Sequence, residues 1–176
     1  MSRTNLAAAT AILVALQLAG TAAPAHADDM TDLKAMMSKV LDAWETLDPA
    51  KAEPYYDKED DNVYFDLAPL KYSGWAAYAA GTAEVFQEFS SLSLSMNDDV
   101  WMERHGDAAI TACTGRCDVV MKDGQKQSFE WRWTAVWENK GQEWKIEHEH
   151  LSAPIPMEPE GAKKAAPAPG HEGHNH

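Results

Sequence analysis

Cysteine is nearly missing from the chain: only Cys113 and Cys117 occur, too few for a disulfide scaffold. They lie four residues apart in one expected strand, which sets their Cα atoms roughly 13 Å apart. A disulfide spans only about 4.4–6.8 Å. They are therefore expected as buried thiols or as links between subunits, unless a bulge around Gly115 kinks the strand. Positive charge is scarce as well. Lys and Arg number 15 against 28 Asp and Glu, for a net charge of −13. That balance argues against electrostatic binding of nucleic acid or an anionic membrane. The one apolar run sits at the N-terminus and is too short to span a bilayer. No phosphate loop, dinucleotide fingerprint or nucleophilic triad motif occurs, and no cofactor is implied.

What is present is enough for one folded domain: 176 residues, 45 % of them hydrophobic. The N-terminus reads as a secretory signal. Arg3 supplies the basic region, Leu6 to Gly20 the apolar one, and Ala25-His26-Ala27 the small-x-small cleavage site. The expected cut follows Ala27 and implies a periplasmic or secreted protein, with no membrane contact after cleavage. From Pro154 onward Pro, Ala, Gly and Lys dominate, without apolar periodicity, as in a disordered linker with a polar tip. His171, His174 and His176 at that tip are weak metal-ligand candidates. A solvated tail is the plainer account of them. The folded domain is thus expected over 28–153.

Within it, Leu33, Met36, Met37, Val40, Trp44 and Leu47 recur at three- and four-residue steps, predicting a helix over 30–47. Asp48-Pro49 starts a second, short helix. Val63 to Asp66 reads as a strand broken by Pro69. Ser73-Gly74 opens a third helix running to about Phe89. The remainder is β: 91–104 with a bend at Asn97–Asp99, then 108–121, 127–137 and 144–151, with Asp123-Gly124 as a hairpin signal. Helices first and an antiparallel meander after them give an α+β fold, with the helices on one face of a curved sheet.

Strand alternation then sorts the side chains. Trp144, Ile146, His148 and His150 share one face, expected to be the concave one. Lys145, Glu147 and Glu149 share the other, expected to face solvent. Phe129, Trp131, Trp133, Ala135 and Trp137 form a continuous aromatic face. Seven tryptophans either fill the core and a subunit interface or wall a cavity for a flat organic ligand.

The stretch Trp131 to Trp137, then Gly141, then Trp144-Lys-Ile-Glu-His148-Glu-His150-Leu-Ser152 resembles the end of NTF2-like domains. It is most similar to the association domain of calcium/calmodulin-dependent protein kinase II and to SnoaL-like domains. Phe65-Asp66 with Pro69 and Gly74 resembles the loop after the first strand of those families. The resemblance implies an NTF2-like cone, three N-terminal helices on a curved, mainly antiparallel sheet, and a homodimer. It does not fix an activity, because the fold hosts isomerases, cyclases, dehydratases and assembly domains.

By the same resemblance Asp66 occupies the place of the general base of ketosteroid isomerases. A turn carboxylate capping nearby N–H groups is the alternative. The isomerase's oxyanion donors fall on Val40 and Trp133, which speaks against steroid isomerisation. Arg116 resembles a pocket arginine of the kinase domain, while a second falls on Ala135. It would anchor an anion bidentately or pair with an internal acid. His148 would join Asp66 in proton transfer or, with His150, hold the strand end; a metal site there lacks a third ligand. Tyr64, Trp131 and Trp133 complete the candidate lining. The sequence thus leads to an exported domain binding a small anionic or aromatic ligand. If it is an enzyme, acid–base chemistry of the isomerase or dehydratase/cyclase kind is expected. A non-catalytic assembly module, or metal handling through the His-rich tail, are the alternatives.

Overall fold

The computed structural model describes residues 25–141 and 143–155. Most of the expected signal segment and the histidine tail lie outside the described residues. Among those described, no helix is long and apolar enough to cross a membrane.

Helix α1 spans Ala25–Glu45, starting earlier than the periodicity indicates. Its Leu33, Met37, Val40, Leu41 and Trp44 are buried, one stripe at helical spacing. The chain leaves it through Leu47, whose φ of 59° reverses its direction. Asp48 then accepts the Ala50 N–H at 3.0 Å and caps α2, Pro49–Ala52. A single 3₁₀ turn, Glu53–Tyr55, follows. Strand β1 is Val63–Phe65. A two-residue strand β2, Tyr72–Ser73, was not expected from the sequence. Helix α3 is Gly74–Phe86; it stops before Phe89, which already belongs to the next strand. Gly74 has φ 74°, and a Cβ there would lie 3.2 Å from the Asp60 backbone, so the turn into α3 favours glycine.

The strands β3, Phe89–Met96, and β4, Trp101–His105, are separated at the expected bend. Thr114 fixes that bend. Its N–H and hydroxyl donate to Asp99 at 3.0 and 2.7 Å, and its Oγ1 accepts from Asn97 Nδ2 at 2.8 Å. Long strands β5, Ala108–Met121, and β6, Lys126–Asn139, form the main hairpin, and β7, Trp144–Ser152, returns along β6. The sheet order is β2-β1-β7-β6-β5-β3, with β4 also on β5. Among the described strands every pairing is antiparallel except β1 with β7, where Val63 to Phe65 run parallel to His148 to His150.

One irregularity matters for function. Trp137 pairs with Ile146, but the next pair is Val136 with His148. Glu147 is therefore an extra residue, a β-bulge, and beyond it the alternation of β7 reverses. The core lies between the concave face and the helices, rich in Trp and Tyr. Glu45 of α1 accepts the Leu94 N–H of β3, tying helix to sheet.

Candidate functional site

A cavity of about 310 Å³ opens between the helices and the concave face. Its walls are aromatic: Trp44 of α1, Phe86 and Phe89 at the α3–β3 junction, and Phe129, Trp131 and Trp133 of β6. Into this apolar space come two carboxyl groups, Asp66 after β1 and Glu149 of β7. Among the described residues, no Lys or Arg lines the cavity.

Glu149 is 3 % exposed, and the bulge at Glu147 puts it there. Three groups donate to it. Tyr78 Oη lies 2.5 Å from Oε1, Trp133 Nε1 2.9 Å from Oε2, and Tyr56 Oη 3.0 Å from each oxygen. Trp44 Nε1 donates in turn to Tyr56 Oη at 2.9 Å. Burial pushes the carboxyl up to about 7. The Tyr78 hydroxyl pulls against that, the nearby Asp66 charge adds to it, and the Trp133 and Tyr56 donors pull down again. Burial outweighs three hydrogen bonds. Both tyrosines are themselves driven well above the usual phenol range, first by burial and then by Glu149, so they remain donors. Asp66 keeps some surface open to the cavity, yet burial raises its carboxyl. The Leu67 N–H, 2.6 Å from its Oδ1, and the Tyr78 hydroxyl partly offset this. Tyr78 thus stands between the two acids. Such an arrangement can hold and move a proton near neutral pH beside a bound ring.

Of the residues singled out in the sequence, Asp66, Trp131 and Trp133 meet in this cavity. Tyr64 does not line it. Fully buried, it stacks on Tyr78 with ring centroids 5.0 Å apart and donates to the Asp57 carbonyl at 2.9 Å. Arg116 is placed differently from the expectation. The buried residues of β5 are Ala109, Thr111, Cys113, Gly115, Cys117 and Val119, so alternation turns Arg116 to the outer face. Its side chain is 58 % exposed and pairs with Asp118 at 3.1 Å; it anchors nothing in the cavity. His148 and His150 also turn outward, because the bulge reverses their faces. His148 Nδ1 lies 2.6 Å from the Val63 carbonyl. Both rings pack edge-on against Phe65, at 5.4 and 5.6 Å. His150 borders a separate shallow groove with Pro69 and Leu70. The expected Asp66–His148 pair is therefore not formed; Asp66 has Glu149 instead. Val40, one of the two positions matched to the isomerase's donors, is fully buried and apolar. Trp133, the other, donates to Glu149.

Cys113 and Cys117 are free and buried. Burial pushes their thiols up to about 12 and about 11, so neither is an activated nucleophile. Among the described residues, Asp57, Glu138 and Glu147 lie close enough together to share one cation. The Lys140 ammonium already serves two of them, at 2.6 Å from Asp57 and 3.0 Å from Glu138.

A cone of three helices on a curved sheet, with a cavity at its centre, defines an NTF2-like fold. The model of the SnoaL-like domain family matches residues 33–156. The chain belongs to that family. Among solved structures it is similar to an NTF2-like superfamily protein from Salmonella enterica serovar Typhimurium, at 19 % identity and TM-score 0.70. That match covers 77 % of this chain and 97 % of the other. It is also similar to a candidate calcium/calmodulin-dependent protein kinase II association domain from Xanthomonas campestris, at 19 % identity, TM-score 0.63 and coverage of 72 % and 88 %. A candidate scytalone dehydratase from Novosphingobium aromaticivorans matches at 11 % identity, TM-score 0.66 and coverage of 73 % and 86 %. At such identities these likenesses concern the fold alone. No curated protein matches the sequence.

Proposed function

We propose that the domain is an acid–base enzyme acting on a small, uncharged, ring-bearing molecule held in the cone cavity, with Glu149 and Asp66 handling the proton. The observation that carries this reading is Glu149. A carboxyl among aromatic walls, held by Tyr56, Tyr78 and Trp133 and pushed up to about 7, is both available as a base and able to return the proton. In its ionised form it would take a proton from a carbon next to a carbonyl, leaving an enol or enolate. The proton would return at another carbon for an isomerisation. For a dehydration it would leave with a β-hydroxyl as water. An anionic ligand finds no support, since among the described residues two acids and no cation line the space. The aromatic walls favour a flat ring instead. Export through the N-terminal signal and assembly as a homodimer belong to the same proposal; they rest on the sequence and on the resemblance.

The test uses 1-tetralone, a neutral ring ketone, in heavy water, with loss of the C2 proton signal followed by NMR. The protein should accelerate this exchange. Glu149→Gln should slow the catalysed rate by about 100-fold or more, the usual scale of general-base catalysis, and Asp66→Asn should slow it to a lesser degree. Exchange at the wild-type rate in Glu149→Gln would remove the reading.

A further inference from the structure

The cavity is long and narrow, and its acids sit at one end. One wall is a file of rings from the helices and the start of β3. Tyr78, Trp44, Phe86 and Phe89 follow one another with ring centroids 5.5, 6.0 and 6.0 Å apart. Tyr78 and Phe86 stand just over two helical turns apart, roughly 12 Å. The opposite wall is β6, where Trp133, Trp131, Phe129 and Gln127 all face the cavity. At strand spacing the first and last of these lie roughly 20 Å apart. Both walls start at Glu149, which accepts from Tyr78 and Trp133. Both end together too, because Phe89 pairs with Met121 and Gln127 with Val119 at the same end of β5. A volume of about 310 Å³, drawn out over roughly 12–20 Å, leaves a cross-section of roughly 15–25 Å². That is the breadth of one flat ring or one alkyl chain.

Asp66 belongs to the Glu149 end. Phe65 pairs with His150, and Leu151 with Trp133, so Asp66 leaves the sheet at the level of Trp133. Beyond it the sheet offers two rows, Leu94–Cys117–Phe129 and Leu92–Val119–Gln127. Helix α3 adds Thr82, Val85 and Phe86. Thr82 turns its hydroxyl back to the Tyr78 carbonyl, at 2.9 Å, and Gln127 is exposed at the rim. Leu67 and Val85, also at the rim, are 47 % and 42 % exposed. The far half is thus an apolar passage that reaches solvent past an apolar rim. A small ring held at the acids would leave those walls without a partner, and an apolar void forfeits contact energy.

We propose that the substrate is elongated: an oxygenated ring carrying an unbranched apolar chain of several carbons, with the ring at Glu149 and Asp66 and the chain running between Phe86 and Phe129 toward Val85 and Gln127. This deepens the proposed function and rests on that reading for the chemistry at the acid end. The polar part of the molecule goes where hydrogen-bonding partners exist, and the chain goes where none are needed. Each buried CH₂ adds affinity, so the far half of the cavity selects for chain length.

The experiment titrates the full chain with acetophenone, 1-phenylbutan-1-one and 1-phenylhexan-1-one, which share one head and differ by two CH₂ at each step. Affinity should rise about tenfold per step, the effect of burying two CH₂. In protein labelled with carbon-13 at its valine methyls, the chain end of 1-phenylhexan-1-one should show nuclear Overhauser contacts to Val85 and Val119. Its ring protons should show none. Val85→Asp, a change at an exposed position, should remove most of the gain of the last step. Affinity that does not grow with chain length, ring protons against Val85 and Val119, or no binding of the three ketones would each overturn the proposal. The wild-type measurements decide it even if the variant folds poorly. Proton exchange beside the acetophenone carbonyl in heavy water reads the acid–base step separately. Exchange without the chain-length gain sinks only the elongated substrate, and the gain without exchange sinks only the acid–base step.

Discussion

Removing the charge of Glu149 should change how stability depends on pH. Its carboxyl sits at about 7 in the folded protein against an ordinary 4.5. Between those values the folded state holds a proton that the unfolded chain releases. The favourable contribution is complete below pH 4.5 and is lost as pH rises through about 7. At roughly 1.36 kcal/mol per pH unit, the change across the window is about 3 kcal/mol. Glu149 is buried, so solvent screening takes little from this. Asp66, raised in the same direction, adds to the slope and is present in both proteins. Asp57, Asp99, Asp118 and Glu143 are lowered and act in the opposite sense, at more acid pH. They too are common to both proteins. The assay is urea unfolding of wild type and Glu149→Gln at pH 5, 6, 7 and 8. Wild type should lose stability relative to the variant by about 2.5 kcal/mol from the lowest pH to the highest. Parallel profiles would refute the claim that burial outweighs the three donors at Glu149.

Three further outcomes follow from the same structure. Gly115→Ala would place a Cβ 2.2 Å from Trp131 Cζ2 and 2.3 Å from the Ser95 carbonyl; overpacking of this kind costs about 1–3 kcal/mol, to be read as a lower Tm and an altered Trp131 indole signal. Tyr78→Phe removes the shortest donor to Glu149, which should move the pH dependence of stability and of C2 exchange to higher pH, because that donor holds the carboxyl down. Arg116→Ala removes an exposed pair with Asp118; stability should change by less than about 1 kcal/mol, and 1-tetralone affinity, measured by titration, should be unchanged.

The fold was legible because its signals are local and repeated. Leu33, Met37, Val40 and Trp44 mark one helix, Asp123-Gly124 marks the main hairpin, and Trp131 to Trp137 alternate without a break. The missed strand Tyr72–Ser73 has two residues, too few to show a period. The site was legible only in part. Strict alternation from Trp144 and Ile146 sends His148 and His150 inward and Glu149 outward, and one extra residue, Glu147, reverses all three. A trace of this exists in the sequence. Trp144 and Ile146 are even-numbered, whereas Leu151, which also lines the cavity, is odd-numbered, so an apolar inner face requires a step between them. For Arg116 the available sign was its own face: Thr114, Arg116 and Asp118 are polar in sequence, while Cys113, Gly115, Cys117 and Val119 between and beside them are not. The structure follows that sign and not the resemblance.

The parallel pairing of β1 with β7 bears on how the molecule comes into being. Val63 and Tyr64 pair on one side with the nearby Ser73 and Tyr72, but β1 joins the main sheet through His148 to His150, so the strand that carries Asp66 into place waits for the last strand of the domain. A chain growing from its N-terminus can form its helices and the β5–β6 hairpin early, but its two acids meet only when β7 docks. Native pairings over such long sequence separations are slow to close. Until they do, the aromatic face of β6 has no lid of helices held by a finished sheet, and a chain cut before Trp144 would lack both the register and Glu149. Completion of the fold and the meeting of Asp66 with Glu149 are one event.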